Sequence, residues 1–134
     1  VSRDWSSDVC SSDLIIYDHM AFARETMDAK AMPRVEELLP LARLPNVSVK
    51  VSAMPCFSTE PYPFANLREP LRRVIETFGA RRCYWGSGIT RVPKSCSYRQ
   101  GVTHFTETLD FLSKDDHDWI MGRALAERLG WQRA

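Results

Sequence analysis

The chain has 134 residues, 44% of them apolar and 26% charged, with a formal net charge of +1. That length suits one packed domain, and the charge balance excludes a protein that works by clasping nucleic acid or a membrane surface, which needs a basic excess. No apolar run reaches the length of a bilayer span, and the four cysteines are too sparse for a disulfide scaffold and lack zinc-ligand spacing, so the expectation is a cytoplasmic globular protein, or a piece of one.

Residues 1–14 read VSRDWSSDVCSSDL. Ser and Asp dominate, no helical or strand period is present, and the basic start and apolar run of a secretion signal are missing. The stretch from Asp4 to Leu14 looks like an in-frame translation of a common sequencing-library adapter; a natural disordered N-terminus is the alternative. On the adapter reading residues 1–14 are a non-native, disordered leader, residues 15–134 are the domain, and the gene continued upstream, so that the chain is truncated at its N-terminus.

From residue 15 the pattern alternates between β and α. Ile15-Ile16-Tyr17 is a short apolar strand ending at Asp18-His19. Pro33 to Leu44 carries apolar residues at helical spacing, with Pro33 suited to a first turn and Pro40 placed to kink or shorten the helix. Val47 to Ser52 alternates as a strand. Residues 54–66, with Pro55, Pro61 and Pro63, read as a loop. Leu67, Leu71, Val74, Ile75 and Phe78 mark a helix stopped by Gly79. Arg82 to Gly86 is a third strand, and residues 86–97 form a loop. Tyr98 to Leu112 is helical, and Ser113 with Asp116 opens a last helix that ends at Gly130. Such alternation predicts three parallel strands in the order 15–19, 47–52, 82–86, with the last helices outside the sheet and an apolar inner face.

Residues able to do chemistry fall at the strand ends, where parallel α/β folds place their sites. His19 follows the first strand and can move a proton or orient a water. Lys50 is unusual in a buried strand: it is either a cation in a barrel interior or an edge residue facing water. Gly86-Ser87-Gly88 lacks the spacing of a phosphate loop and reads as a plain turn. His104 and His117 read as surface histidines on helices, Cys83 as a core residue, and Arg72-Arg73 and Arg81-Arg82 as solvated charges. No Ser/His/Asp arrangement can be assigned from the sequence.

Three segments together resemble the C-terminal part of the amidohydrolase-related family, the metal-dependent hydrolases and decarboxylases of TIM-barrel fold. They are Ile16-Tyr17-Asp18-His19-Met20, Val47-Ser48-Val49-Lys50-Val51-Ser52, and Phe78 to Ser87 (FGARRCYWGS); the tail from Trp119 through Trp131 is similar to the family's closing helix. The resemblance implies an α/β chain that supplies about strands six to eight of a (β/α)₈ barrel, a fold of roughly 250 residues. It implies that His19 activates water or assists proton transfer, with Lys50 and Arg91 binding substrate. It also implies a divalent metal, zinc foremost, in the complete parent enzyme, though not in this fragment, which lacks the family's His-x-His.

One position departs from that pattern. The family's last strand reads Gly-Ser-Asp or Gly-Thr-Asp, the Asp serving as metal ligand or base, and here the position is Gly88. The implied function is that of a hydrolase fragment acting on a small carboxylated, lactone or amide substrate by activated-water attack. A catalytically dead homologue that keeps its pocket, a decarboxylase of the same family, and an unrelated small α/β binding module are the alternatives. A small molecule is the expected partner, with a homo-oligomer of the full-length parent open and neither nucleic acid nor membrane involved.

Overall fold

The structure is a computed structural model that describes residues 14–23 and 26–131; the leader reading of residues 1–14 therefore lies, except at Leu14, outside the described residues. Three strands, β1 (Ile15–Tyr17), β2 (Val47–Ser52) and β3 (Cys83–Gly86), form one parallel sheet in the order β1-β2-β3. Ile15 pairs with Val47 and Val49 with Cys83, and that register fixes which side chains share a face. The parallel order is the one the sequence predicts.

The two faces of the sheet differ in kind. Val47, Val49, Val51 and Cys83 are buried in one core with Val35 and Leu38 of α1 (Met32–Leu38) and Leu71, Val74, Ile75 and Phe78 of α2 (Arg68–Phe78). Each such aliphatic or aromatic side chain contributes about 1.5–3 kcal/mol when fully buried. The opposite face carries Ser48, Lys50 and Ser52 of β2 and Tyr84 of β3, the register partner of Lys50. It is polar, where the sequence pattern led to the expectation of an apolar inner face. Lys50 stands on the central strand, so the edge-strand explanation of that residue fails.

Helix ends follow local chemistry. Pro33 lies in the first turn of α1, and at Pro40 the helix tightens into a 3₁₀ segment, Leu39–Arg43, because proline has no N–H to continue the ladder. Gly79, at φ 79°, ends α2 with its N–H on the Ile75 carbonyl at 2.8 Å. Ser113 and Asp116 form a capping box at the start of α4 (Lys114–Asp118), and Ser97 with Gln100 forms a second one at α3 (Tyr98–Thr103). Both C-terminal helices loosen into wide, π-type turns, at His104–Thr108 and Trp119–Arg123. The helix expected to run to Leu112 leaves helical geometry at Leu109 (φ −89°, ψ 79°).

Two sequence readings are corrected here. Arg82 is no solvated charge: its guanidinium donates to the carbonyls of Phe78 (3.0 Å), Leu44 (2.9 Å), Val47 (3.2 Å) and Ala42 (2.9 Å). It thus joins the end of α2 to the entry of β2. His104 is no surface residue either: it is 1% exposed, packed edge-on against Phe64 and Phe105, with Nδ1 on Thr108 Oγ1 at 3.1 Å. Burial pushes its pKa down to about 4, against a smaller upward pull from the Pro63 carbonyl.

The C-terminal segment, through Trp119–Arg123 and α5 (Ala124–Arg128), packs on β3. Trp119 and Ala124 cover Tyr84, whose hydroxyl donates to Ser48 Oγ at 3.1 Å. This segment therefore sits at the polar face instead of outside the sheet. Among the described residues no helix is long and apolar enough to cross a membrane.

Candidate active site

Beyond β1 the chain makes a left-handed turn. His19 (φ 49°), Met20 (φ 53°) and Ala21 (φ 60°) all have positive φ, a conformation that costs non-glycine residues free energy and persists only where packing enforces it. Met20, fully buried, is the anchor. The turn sets Asp18 and His19 against the C-terminal end of β2.

There the side chains form a connected polar cluster. Asp18 Oδ1 lies 2.7 Å from Lys50 Nζ, and Asp18 Oδ2 lies 3.3 Å from His19 Nε2. On its other side the His19 ring is held through Nδ1, 2.8 Å from Ser52 Oγ and 3.1 Å from the Ser52 carbonyl oxygen. The Ser52 hydroxyl is also within 3.5 Å of Asp18 Oδ1. Partial burial raises the Asp18 pKa, but the Lys50 hydrogen bond and the nearby charges outweigh it and hold the carboxyl below its ordinary value.

An aromatic bridge extends the site. Phe57, buried in the 3₁₀ turn Met54–Phe57 after β2, has its ring centroid 6.1 Å from that of His19 and 5.1 Å, edge-on, from that of Phe22. The Arg91 guanidinium lies over the same Phe57 ring at 5.1 Å. Beside it a cavity of about 210 Å³ is lined by Cys56, Thr90, Arg91, Lys94 and Ser95. Its lining holds two cations and two hydroxyls but no carboxylate, which suits an anionic group.

Gly88 lies at the same rim, in the turn after β3, with φ +58°. A Cβ built there would fall 2.3 Å from Ala53 Cβ and 2.9 Å from Ala53 Cα. Any side chain at 88 must displace the backbone of the neighbouring turn.

His19 and Lys50 thus meet through Asp18, and Arg91 reaches the cluster through Phe57. Sequence reasoning missed Asp18 as the bridging group, and it missed Ser52 and Phe57. Ser52 carried one signal: it follows Lys50 by two residues, so a strand must present both on one face. Among the described residues no group of three or more His, Cys, Asp or Glu side chains could hold a metal ion. One carboxylate and one imidazole, the latter engaged at both nitrogens, do not make a zinc site.

A family model described as Amidohydrolase matches residues 14–128. No curated protein matches the chain in sequence. Among solved structures, a Burkholderia multivorans amidohydrolase with bound zinc superposes with a TM-score of 0.71 at 21% identity, covering 86% of this chain and 43% of its own. A Pseudomonas putida protein provisionally named 2-pyrone-4,6-dicarboxylic acid hydrolase gives 0.67 at 24% identity, covering 90% of this chain and 44% of its own. An Acinetobacter baumannii protein with the same provisional name and bound citric acid gives 0.68 at 18% identity, covering 89% of this chain and 44% of its own. The chain spans less than half the length of these structures, and its three parallel strands are a part of their TIM-barrel fold.

Proposed function

The chain belongs to the amidohydrolase family, and from that premise we propose that it is part of a hydrolase that opens a small carboxylated lactone, ester or amide by attack of an activated water. The observation that carries this reading is the rim cluster itself. A histidine fixed between a carboxylate and a serine is linked through the Phe57 ring to Arg91, which lines a cation-rich cavity, on the strand-end side where parallel α/β folds do their chemistry. In this reading Arg91 and Lys94 receive the substrate carboxylate. His19 assists proton transfer at the scissile bond, and Lys50 keeps Asp18 ionised.

Zinc, which one structural neighbour holds, would polarise a carbonyl or water. Asp18 and His19 alone do not fit it, so no step here runs through a metal. Gly88 favours a second reading, a pocket that binds without turnover, because the turn is closed around a residue with no side chain.

The test joins the chain to the N-terminal half of the P. putida neighbour and assays hydrolysis of a dicarboxylated pyrone. Turnover that falls at least 100-fold in His19→Ala supports the hydrolase. Saturable binding of that dicarboxylate, weakened by Arg91→Ala and without turnover, supports the second reading. Neither turnover nor binding overturns both.

A further inference from the structure

Two cysteines stand where the segments that follow β2 and β3 meet, and the reading above uses neither. Cys56 belongs to the turn Met54–Phe57, and Cys96 ends the helical turn that begins at Val92. The Cys96 N–H donates to the Val92 carbonyl at 2.9 Å, so Cys96 stands one turn beyond Val92 on the same face. Val92 is buried, and its turn packs against Met54–Phe57. Both thiols are free and half-buried, and both cysteines pack on the same core. Burial, and then the charge of Cys56, push the Cys96 pKa above its ordinary value, a coupling that requires the two sulfurs to be neighbours.

We propose that Cys56 and Cys96 are a redox-active thiol pair that reacts with a carboxylate-bearing small-molecule disulfide, Cys56 attacking and Cys96 resolving. Cys56 lines the cavity of about 210 Å³ together with Arg91 and Lys94, and these cations gather the carboxylates of the incoming disulfide beside its sulfur. Cys96 stands behind that lining, next to Ser95. The Cys56 thiolate attacks one sulfur of the disulfide, whose S–S bond breaks, and one half leaves as a thiolate. The Cys96 thiolate then attacks Cys56 Sγ in the mixed disulfide and expels the other half. Two protein thiols are oxidised, and the small disulfide is reduced to two thiols, which take up the two protons released.

The new bond joins the turn after β2 to the segment after β3 at the wall of the cavity. Cys83 takes no part: it is fully buried in β3, and burial pushes its thiol up to about 12, so it keeps its proton and meets no reagent. The exchange needs only the two thiols and the cavity, and it stands apart from the hydrolase reading.

The test treats the folded chain, with Cys10→Ser in every sample, with oxidised glutathione at about pH 8. Acid stops the exchange, remaining thiols are alkylated, and tryptic peptides are read by mass. Cleavage after Lys50, Arg68, Lys94 and Arg99 places Cys56 in peptide 51–68 and Cys96 in peptide 95–99. In the parent chain a glutathione adduct on Cys56 is expected first, followed by a disulfide that joins the two peptides. Cys96→Ser should stop the reaction at the Cys56 adduct. Lys94→Gln should slow the adduct about tenfold with oxidised glutathione and leave the rate with uncharged hydroxyethyl disulfide unchanged. A first adduct on Cys96 or Cys83, no joined peptides in the parent chain, a link formed as fast in urea as in the folded chain, or no charge effect of Lys94→Gln would each overturn the proposal.

Discussion

His104 ties folding to acidity. Its pKa is depressed to about 4 in the folded chain, whereas an unfolded histidine titrates near 6.5. The unfolded state therefore binds the proton first as pH falls. The stability contributed by the neutral ring is complete above about pH 6.5, declines between there and pH 4, and is gone below. The whole effect amounts to at most about 3 kcal/mol. Urea titrations at pH 7.5 and pH 4.5 should show the loss, and His104→Phe should flatten it; equal losses in both chains would clear His104 of the effect. Gly88 gives a second residue-scale expectation. Gly88→Asp should cost about 1–3 kcal/mol by overpacking, because its Cβ meets Ala53. Ala53, itself at φ 55°, should accept glycine at no cost, and Ala53→Gly should recover part of the Gly88→Asp loss, as read from the denaturation midpoint. Additive losses in the double variant would show that the two turns do not press on each other.

Between elements, Arg82 ties the end of α2 to the entry of β2. It serves four carbonyls from three segments, of which Leu44 keeps the Val47 N–H as a second donor when the guanidinium is removed. Arg82→Ala should cost about 2–4 kcal/mol, and Arg82→Lys should recover less than half, since an ammonium cannot span the fork. Full rescue by lysine would reduce the tie to charge alone. At this scale the sequence was informative where periods are local. The strands, their order, the α2 stripe from Leu71 to Phe78 and the Ser113 cap were all legible, because each depends on neighbours a turn or a pleat away. Arg82 was not, because Ala42, Leu44 and Val47 converge on it only after β2 and β3 pair. His104 was missed because a wide turn carries it inward together with Phe105, out of step with the 3.6-residue period. At the site, His19 and Lys50 could be picked out as candidates by residue type. Ser52 and Asp18 needed the β1–β2 register before their contacts to His19 and Lys50 could be seen.

Taken whole, the chain presents a sheet whose outer strands, among the described residues, are β1 and β3. Ile15 and Ile16 of β1 are 47% and 38% exposed, a short apolar edge that invites pairing with another chain. The isolated chain is expected to self-associate, with an apparent mass by light scattering that rises with concentration, and Ile16→Lys should reduce that rise. A concentration-independent monomer would remove β1 from consideration. Tyr84 carries a different consequence, one of timing. The strand that bears it leaves the ribosome well before Trp119 and Ala124 do, and those are the residues that cover its ring. Until the C-terminal helices have been made, the nascent sheet carries an uncovered tyrosine at its polar face. A message cut just before the Trp119 codon would release a protein with Tyr84 still open to quenchers and proteases.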